Sequence, residues 1–254
     1  MKILVTGGYG FIGSNFILNT ITSDKTIYNV DKLTYASNKH NLSSIEKLPN
    51  YGFFNIDICD KTAISRLIMD YKPDILFHFA AESHVDRSIH SPDHFINTNI
   101  VGTASLLNAS LKLFNKKNDF KFIHVSTDEV FGSLDKNGLF DENSKYNPNS
   151  PYSASKASSD HLVRSWNKTY GLPAIITNCT NNYGPYQFPE KLIPLLITNC
   201  IDKKTLPIFG KGNNIRDWIF VEDHCDAIDL ISKSGIIGES YCIGSSNEKT
   251  NIEI

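Results

Sequence analysis

The sequence is short of the features that mark several protein classes. Its 254 residues hold five cysteines, Cys59, Cys179, Cys200, Cys225 and Cys242, scattered and without a CxxC spacing. That excludes a disulfide framework and a structural zinc site, and it implies reduced thiols. No metal is expected. No apolar run approaches the ~20 residues that a membrane-spanning helix needs. Charge of neither sign is in surplus, with 25 Lys+Arg against 27 Asp+Glu and a formal net charge of -2. Lacking a basic excess to neutralise phosphates, the chain is expected to bind neither nucleic acid nor an anionic membrane. Met1–Thr6 enters a strand-like pattern at once, which leaves no room for a signal peptide and implies a cytoplasmic protein.

What is present is apolar alternation. Short strand-like runs at Ile3–Thr6, Thr26–Val30, Gly52–Ile56, Ile75–Phe79, Phe120–Ser126 and Ala174–Asn178 take turns with longer helical ones. The helical stretches are Ile12–Thr22, Lys61–Tyr71, Asp93–Phe114 and Pro151–Tyr170. This order predicts an α/β fold, a doubly wound parallel sheet wrapped by helices. Ser133–Ser150 is polar and Asn-rich and reads as a long surface loop. After Tyr183 the alternation lapses around Pro185, Pro189, Pro194 and Pro207, so a second, smaller region is expected. The expected division is 1–180 as a dinucleotide-binding domain, with 219–243 returning to it. Residues 181–218 and 244–254 then form a partial second domain, and Asn247–Ile254 reads as the approach to another helix.

Three constellations carry chemistry. Gly7, Gly10 and Gly13 lie between the first strand and the first helix. A turn that approaches a pyrophosphate closely tolerates no Cβ, and the helix N-terminus supplies N–H donors. Asp31, 18 positions after Gly13, is placed to accept ribose hydroxyls, which favours NAD over NADP. Lys32 beside it weakens that preference. Asp57-Ile58 follows the third strand, where an adenine edge would lie.

The second constellation is Tyr152 and Lys156, which share one face of a helix. A nearby ammonium is expected to lower the tyrosine pKa from about 10. Two other Tyr/Lys pairs have the same spacing, Tyr28/Lys32 and Tyr35/Lys39. The first falls in a strand and the second in a polar stretch, so position selects Tyr152/Lys156. The third constellation is Asp128-Glu129, just after the hydroxyls of Ser126 and Thr127. Adjacent carboxylates at a strand exit are either a solvated pair or an acid and a base with separated pKa values.

These motifs, in this order, resemble the extended short-chain dehydrogenase/reductases. Within them, Ser126–Val130 with Tyr152–Lys156 is similar to the dTDP-glucose 4,6-dehydratases. The likeness extends through Asp31–Ala36, Ala80–Ser88, Asn181–Tyr186, Phe188–Pro194 and Ile215–Trp218. It implies a redox-neutral lyase with tightly held NAD, acting on dTDP-glucose, and a homodimer formed through the helices near 93–114 and 151–170. Tyr152, Lys156 and Thr127 would serve C4 oxidation, while Glu129 and Asp128 would serve as base and acid in loss of water across C5–C6.

The resemblance assigns Gly7, Gly10, Phe11, Ile12, Gly13, Asp31, Lys32, Leu33, Thr34, Asp57 and Ile58 to the cofactor. It adds Ala80, Ala81, Ser83, Thr98, Ser126, Tyr152, Lys156 and Asn182. To the substrate it assigns His84, Thr127, Asn181, Glu190, Lys191, Leu192, Pro207, Phe209 and Arg216. A UDP-glucose 4,6-dehydratase would share nearly all of these. A nucleotide-sugar 4-epimerase would share the turn and Tyr152/Lys156 but has no use for the acidic pair. Members of the family continue beyond residue 254, so a non-catalytic NAD-binding remnant is the further alternative.

Overall fold

The first half of the chain alternates strand and helix except between β2 and β3, which a loop with one 3-10 turn joins. β1 (Lys2–Thr6), α1 (Phe11–Thr20), β2 (Thr26–Val30), β3 (Tyr51–Phe54), α2 (Lys61–Tyr71) and β4 (Ile75–His78) follow one another in a computed structural model. It describes residues 1–134, 138–208 and 210–254. Next come α3 (Val85–His90), α4 (Pro92–Phe95), α5 (Thr103–Phe114), β5 (Lys121–Thr127), α6 (Pro151–Tyr170) and β6 (Ala174–Cys179). The remainder is β7 (Asn181–Tyr183), α7 (Leu192–Ile201), β8 (Ile215–Phe220), α8 (Val221–Ser234), β9 (Ser240–Ile243) and β10 (Glu248–Thr250).

Seven strands form one parallel sheet in the order β3-β2-β1-β4-β5-β6-β9. Strand side chains alternate between faces, and here both faces are apolar. Ile3 and Val5 join Phe16, Phe77 and Ile123 on one side, while Leu4 joins Leu76, Leu106, Phe122 and Ile176 on the other. The doubly wound α/β expectation therefore holds. Strand order reverses between β1 and β4, and the crevice at such a reversal is where ligands of open α/β sheets sit.

Two features lie outside the sequence expectations. The helical stretch expected over Asp93–Phe114 is present, but α4 passes into a wider π-helical segment at Ile96–Gly102 before α5 begins. There Thr98 and Asn99 are buried while Ile96 and Val101 are exposed, so the apolar pattern does not announce the change of winding. Asn247–Ile254 first contains β10, antiparallel to β8, in a small second sheet ordered β10-β8-β7 that the sequence did not announce. It then turns as a helix start does, as expected: the Thr250 N–H donates to Glu253 Oε2 at 2.7 Å, and the Ile254 N–H donates to the Thr250 carbonyl at 3.2 Å. The Asp217 carboxylate draws the chain back by accepting from the Ser245 and Asn247 N–H groups at 2.8 and 2.7 Å. That is a non-local cause, absent from the local sequence.

Candidate active site

The glycine turn is built to let something approach. Gly7 has φ +74°, and a Cβ there would sit 2.7 Å from the Ala80 backbone. A Cβ on Gly13 would fall 2.3 Å from the Gly7 carbonyl oxygen. The turn therefore packs against β4 and opens α1 in the only form these contacts allow. Asp31 follows β2 directly and organises the neighbouring loop. Its Oδ1 accepts from the Leu33 N–H at 2.8 Å and the Ser37 hydroxyl at 2.9 Å, and its Oδ2 accepts from the Tyr9 N–H at 3.0 Å. A carboxylate offers about four acceptor positions, so Oδ2 keeps one for a ribose hydroxyl. The bare turn and this free acceptor fit a dinucleotide.

Lys32 lies between Asp57 at 3.6 Å and Glu82 at 3.9 Å and donates to the Thr98 hydroxyl at 3.2 Å. It is thus held by carboxylates, which leaves it poorly placed to attract a further phosphate.

At the far end of the crevice, β5 and α6 meet. Ser150 caps α6 in a reciprocal box with Ser153, and Pro151 takes the first helical position. That start puts Tyr152 in the first turn, where it faces the crevice and is buried. Lys156, one turn on, is also buried and donates to the Val125 carbonyl at 2.8 Å. Thr127 ends β5 and caps the short 3-10 turn that follows, its hydroxyl accepting from the Glu129 N–H at 3.2 Å. The same hydroxyl donates to Asp128 Oδ1 at 3.2 Å.

Burial raises both carboxylates, and the charges around them differ. Burial, and then the Glu129 charge, push the Asp128 carboxyl up to about 6. Glu129 is also raised by burial, but Arg216 and Lys191 pull against that shift. Tyr152 departs from expectation. Burial and then the Glu129 charge push its hydroxyl well above the usual range, with Thr127 opposing. Helical spacing predicted the shared face correctly, but the desolvation of a phenol behind two carboxylates outweighs the ammonium, which is engaged by Val125.

One cavity of about 320 Å³ collects most of the expected residues. Gly7, Gly10, Phe11, Ile12, Gly13, Asp31, Lys32, Thr34, Ile58, Ala80, Ala81, Ser83 and Thr98 line it, with Ser126, Thr127, Glu129, Tyr152, Lys156, Asn181, Asn182, Glu190 and Lys191. Leu33, Asp57, Asp128 and His84 are not on its wall. Leu33 turns the loop with φ 59°. His84 caps α3, its Nδ1 accepting from the Arg87 N–H at 3.5 Å, and its Nε2 stands 3.7 Å from Glu190. Leu192 and Arg216 line a smaller, adjoining cavity of about 180 Å³, which shares Asn181 with the first. Pro207 lines neither cavity, and Phe209 lies outside the described residues.

Sequence reasoning missed Tyr35, Glu82, Gln187 and Phe188 on the wall. Tyr35 is crossed by the Arg87 guanidinium 3.7 Å from its ring centre, and Arg87 donates to Glu190 at 3.0 Å. No local pattern announces these, because they come from three separate loops, after β2, after β4 and after β7. Among the described residues no cluster of three or more His, Cys, Asp or Glu could hold a metal.

Comparison with known proteins adds a family. The model of the GDP-mannose 4,6 dehydratase family matches residues 4–254. The dTDP-glucose 4,6-dehydratase of Salmonella typhimurium is 54% identical, over all of this chain and 74% of its own. Among solved structures, a dTDP-glucose 4,6-dehydratase from Bacillus anthracis in complex with NAD is 48% identical with a TM-score of 0.90. One from Streptomyces venezuelae, with NAD bound, is 46% identical with a TM-score of 0.94. Each alignment covers all of this chain and 78% of the other.

Proposed function

The chain belongs to the GDP-mannose 4,6 dehydratase family, and from that premise we propose that it converts dTDP-glucose to dTDP-4-keto-6-deoxyglucose. NAD supplies the redox chemistry, accepting hydride from sugar C4 and returning it to C6. The division of labour assigns 1–180 and 219–243 to NAD, and 181–218 with 244–254 to the nucleotide sugar.

Each residue's role follows from its surroundings. The glycine turn and the N-terminus of α1 hold the pyrophosphate, and Asp31 Oδ2 takes a ribose hydroxyl. Thr127 and Tyr152 meet the sugar 4-hydroxyl, and Tyr152 takes its proton. Lys156 supplies the positive charge that a buried phenolate requires. The resulting 4-ketone acidifies the C5 proton. Glu129, whose carboxylate is favoured by Arg216 and Lys191, removes that proton. Asp128, raised to about 6, gives its proton to the departing 6-hydroxyl, and water leaves across C5–C6. Arg216, in the adjoining cavity joined through Asn181, takes phosphate oxygens in a fork.

The observation that carries this reading is the adjacent pair Asp128 and Glu129, both raised by burial, beside a buried Tyr152. A 4-epimerase would share the turn and the tyrosine, but it eliminates nothing and so needs no acid–base pair. Incubating the purified protein with dTDP-glucose and following the 4-keto product tests it. No product from folded, NAD-loaded protein would favour a binding remnant. The reading extends to a homodimer through the helices at 93–114 and 151–170, where Ile96 and Val101 are exposed; sedimentation measures it. The reading also includes a cytoplasmic location; no helix among the described residues is long and apolar enough to cross a membrane.

A further inference from the structure

A fully buried carboxylate stands behind the catalytic face of α6. Asp160 lies one turn beyond Lys156 and two beyond Tyr152, so the three occupy one stripe of the helix. It has no exposed surface. Its Oδ2 accepts from three directions: the Ser126 hydroxyl on β5 at 3.0 Å, the Tyr146 hydroxyl at 2.9 Å, and the Asn178 amide on β6 at 3.2 Å. Asn178 reaches the other way too, donating to the Thr127 carbonyl at 3.1 Å. Asp160 thus ties the end of β5, which carries Thr127, to β6, to α6 and to the chain leading into α6.

Such a site is costly for an uncompensated charge. The other titratable groups around Asp160 and Lys156 are His124 on β5, His78 on β4, Cys179 on β6, and Tyr146, Tyr152 and Arg164. His124 Nε2 stands 3.2 Å from Asp160 Oδ1, yet burial and the Lys156 charge lower that imidazole to about 4. His78 is lowered well below its usual value, and Cys179 is pushed up to about 12. These three are neutral near pH 7. Arg164 is spent on the surface side of the network, over the Tyr146 ring and donating to Ser240 at 3.0 Å. That leaves the buried Lys156 ammonium and the buried Asp160 carboxylate as the opposite charges of this stripe, acting on each other through charge while the ammonium bonds to Val125.

We propose that Asp160 is a positioning residue for the oxidation step: it keeps Lys156 charged and holds the Thr127 end of β5 in register with Tyr152. The electrostatics agree, since burial lowers Lys156 while Asp160 raises it. Burial likewise works to raise Asp160, but its contacts with His124, the Lys156 charge and the Ser126 bond bring it below its ordinary value. This inference rests on the proposed function for its kinetic readout alone.

The test is Asp160→Asn in the NAD-loaded protein, with the rate of nicotinamide reduction by dTDP-glucose followed against pH. Removing the negative charge makes both Lys156 and Tyr152 lose protons more easily. Both limbs of the profile are therefore expected to move to lower pH, by about one unit, the size of effect one neighbouring charge produces. Asp160→Glu should bring the limbs back towards the wild type, and Tyr146→Phe, which removes a bond to the same oxygen but no charge, should leave them in place. A slower Asp160→Asn with unmoved limbs overturns the proposal and leaves only a packing role.

The carboxyl carbon-13 resonance of Asp160 in the wild type needs no activity. A constant ionised shift from about pH 5 to about pH 9 supports the proposal, whereas titration in that range overturns it. If the wild type reduces no nicotinamide at all, the dehydratase reading fails, and the resonance still decides the inference.

Discussion

The Lys156 ammonium donates to the Val125 carbonyl at 2.8 Å, so the cation proposed to serve Tyr152 also docks α6 onto β5. Its removal strikes two links at once. Lys156→Met keeps the length and the apolar stem, leaves a strand carbonyl unpaired and deletes the charge. Nicotinamide reduction by dTDP-glucose is expected to fall by about 10²-fold or more, and the folded protein should lose about 1–3 kcal/mol. Stopped-flow absorbance and chemical denaturation measure the two separately.

The acidic pair predicts a stalled reaction. In the double variant Asp128→Asn/Glu129→Gln, Tyr152, Lys156 and Thr127 remain, and losing the two charges that raise the tyrosine eases its ionisation, so C4 oxidation persists. Elimination loses both its acid and its base and is expected to slow by about 10²- to 10⁴-fold. Reduced nicotinamide should then accumulate in a single turnover. Wild-type dehydration in this variant would remove the assignment of both carboxylates.

Gly13→Ala places a Cβ 2.3 Å from the Gly7 carbonyl and 2.9 Å from the Gly8 Cα. Neither is the tip of a flexible side chain, so the turn or α1 must shift. The purified variant is expected to carry little or no NAD and to be less stable by about 1–3 kcal/mol. Cofactor content after acid release checks the first expectation.

Buried histidine sets a pH dependence of stability. His224 is fully buried, its Nδ1 2.7 Å from Asn182 Oδ1, and burial lowers it to about 3. The unfolded chain takes up this proton near pH 6.5, while the folded chain does not until near pH 3. The resulting stability is present above about pH 6.5 and is lost as pH falls towards 3, at about 1.4 kcal/mol per unit. His224→Gln retains a donor for Asn182 without titrating. The loss on going from pH 7 to 5 should be smaller by about 2 kcal/mol than in the wild type, as read from denaturation at both values.

The legibility of this molecule from sequence divides along a physical line. The parallel sheet was readable because its strands are apolar on both faces and its turns carry local chemistry, as Gly7–Gly13 and Ser150–Pro151 do. Tyr152 and Lys156 were readable by position within that frame. The π-helical segment at 96–102 was not, since its buried residues include the polar Thr98 and Asn99 while Ile96 and Val101 are exposed. Nor was β10, which exists because Asp217 gathers a distant segment. Asp160 had a signal, its place on the Tyr152/Lys156 stripe, but a carboxylate in a polar helix ordinarily faces water. Only burial shows that this one does not. The raised Tyr152 was unreadable for the same reason: spacing reports a shared face and says nothing about desolvation.

The most direct measurement follows one hydrogen. With dTDP-glucose carrying deuterium at C4, and NAD-loaded protein, proton and deuterium resonance of the product report where the label ends. Removal of C4 hydride, loss of water across C5–C6 and hydride return within one site put the deuterium in the C6 methyl group of the 4-keto product. Deuterium remaining at C4 in an epimerised sugar, or in unreacted substrate, would contradict the account.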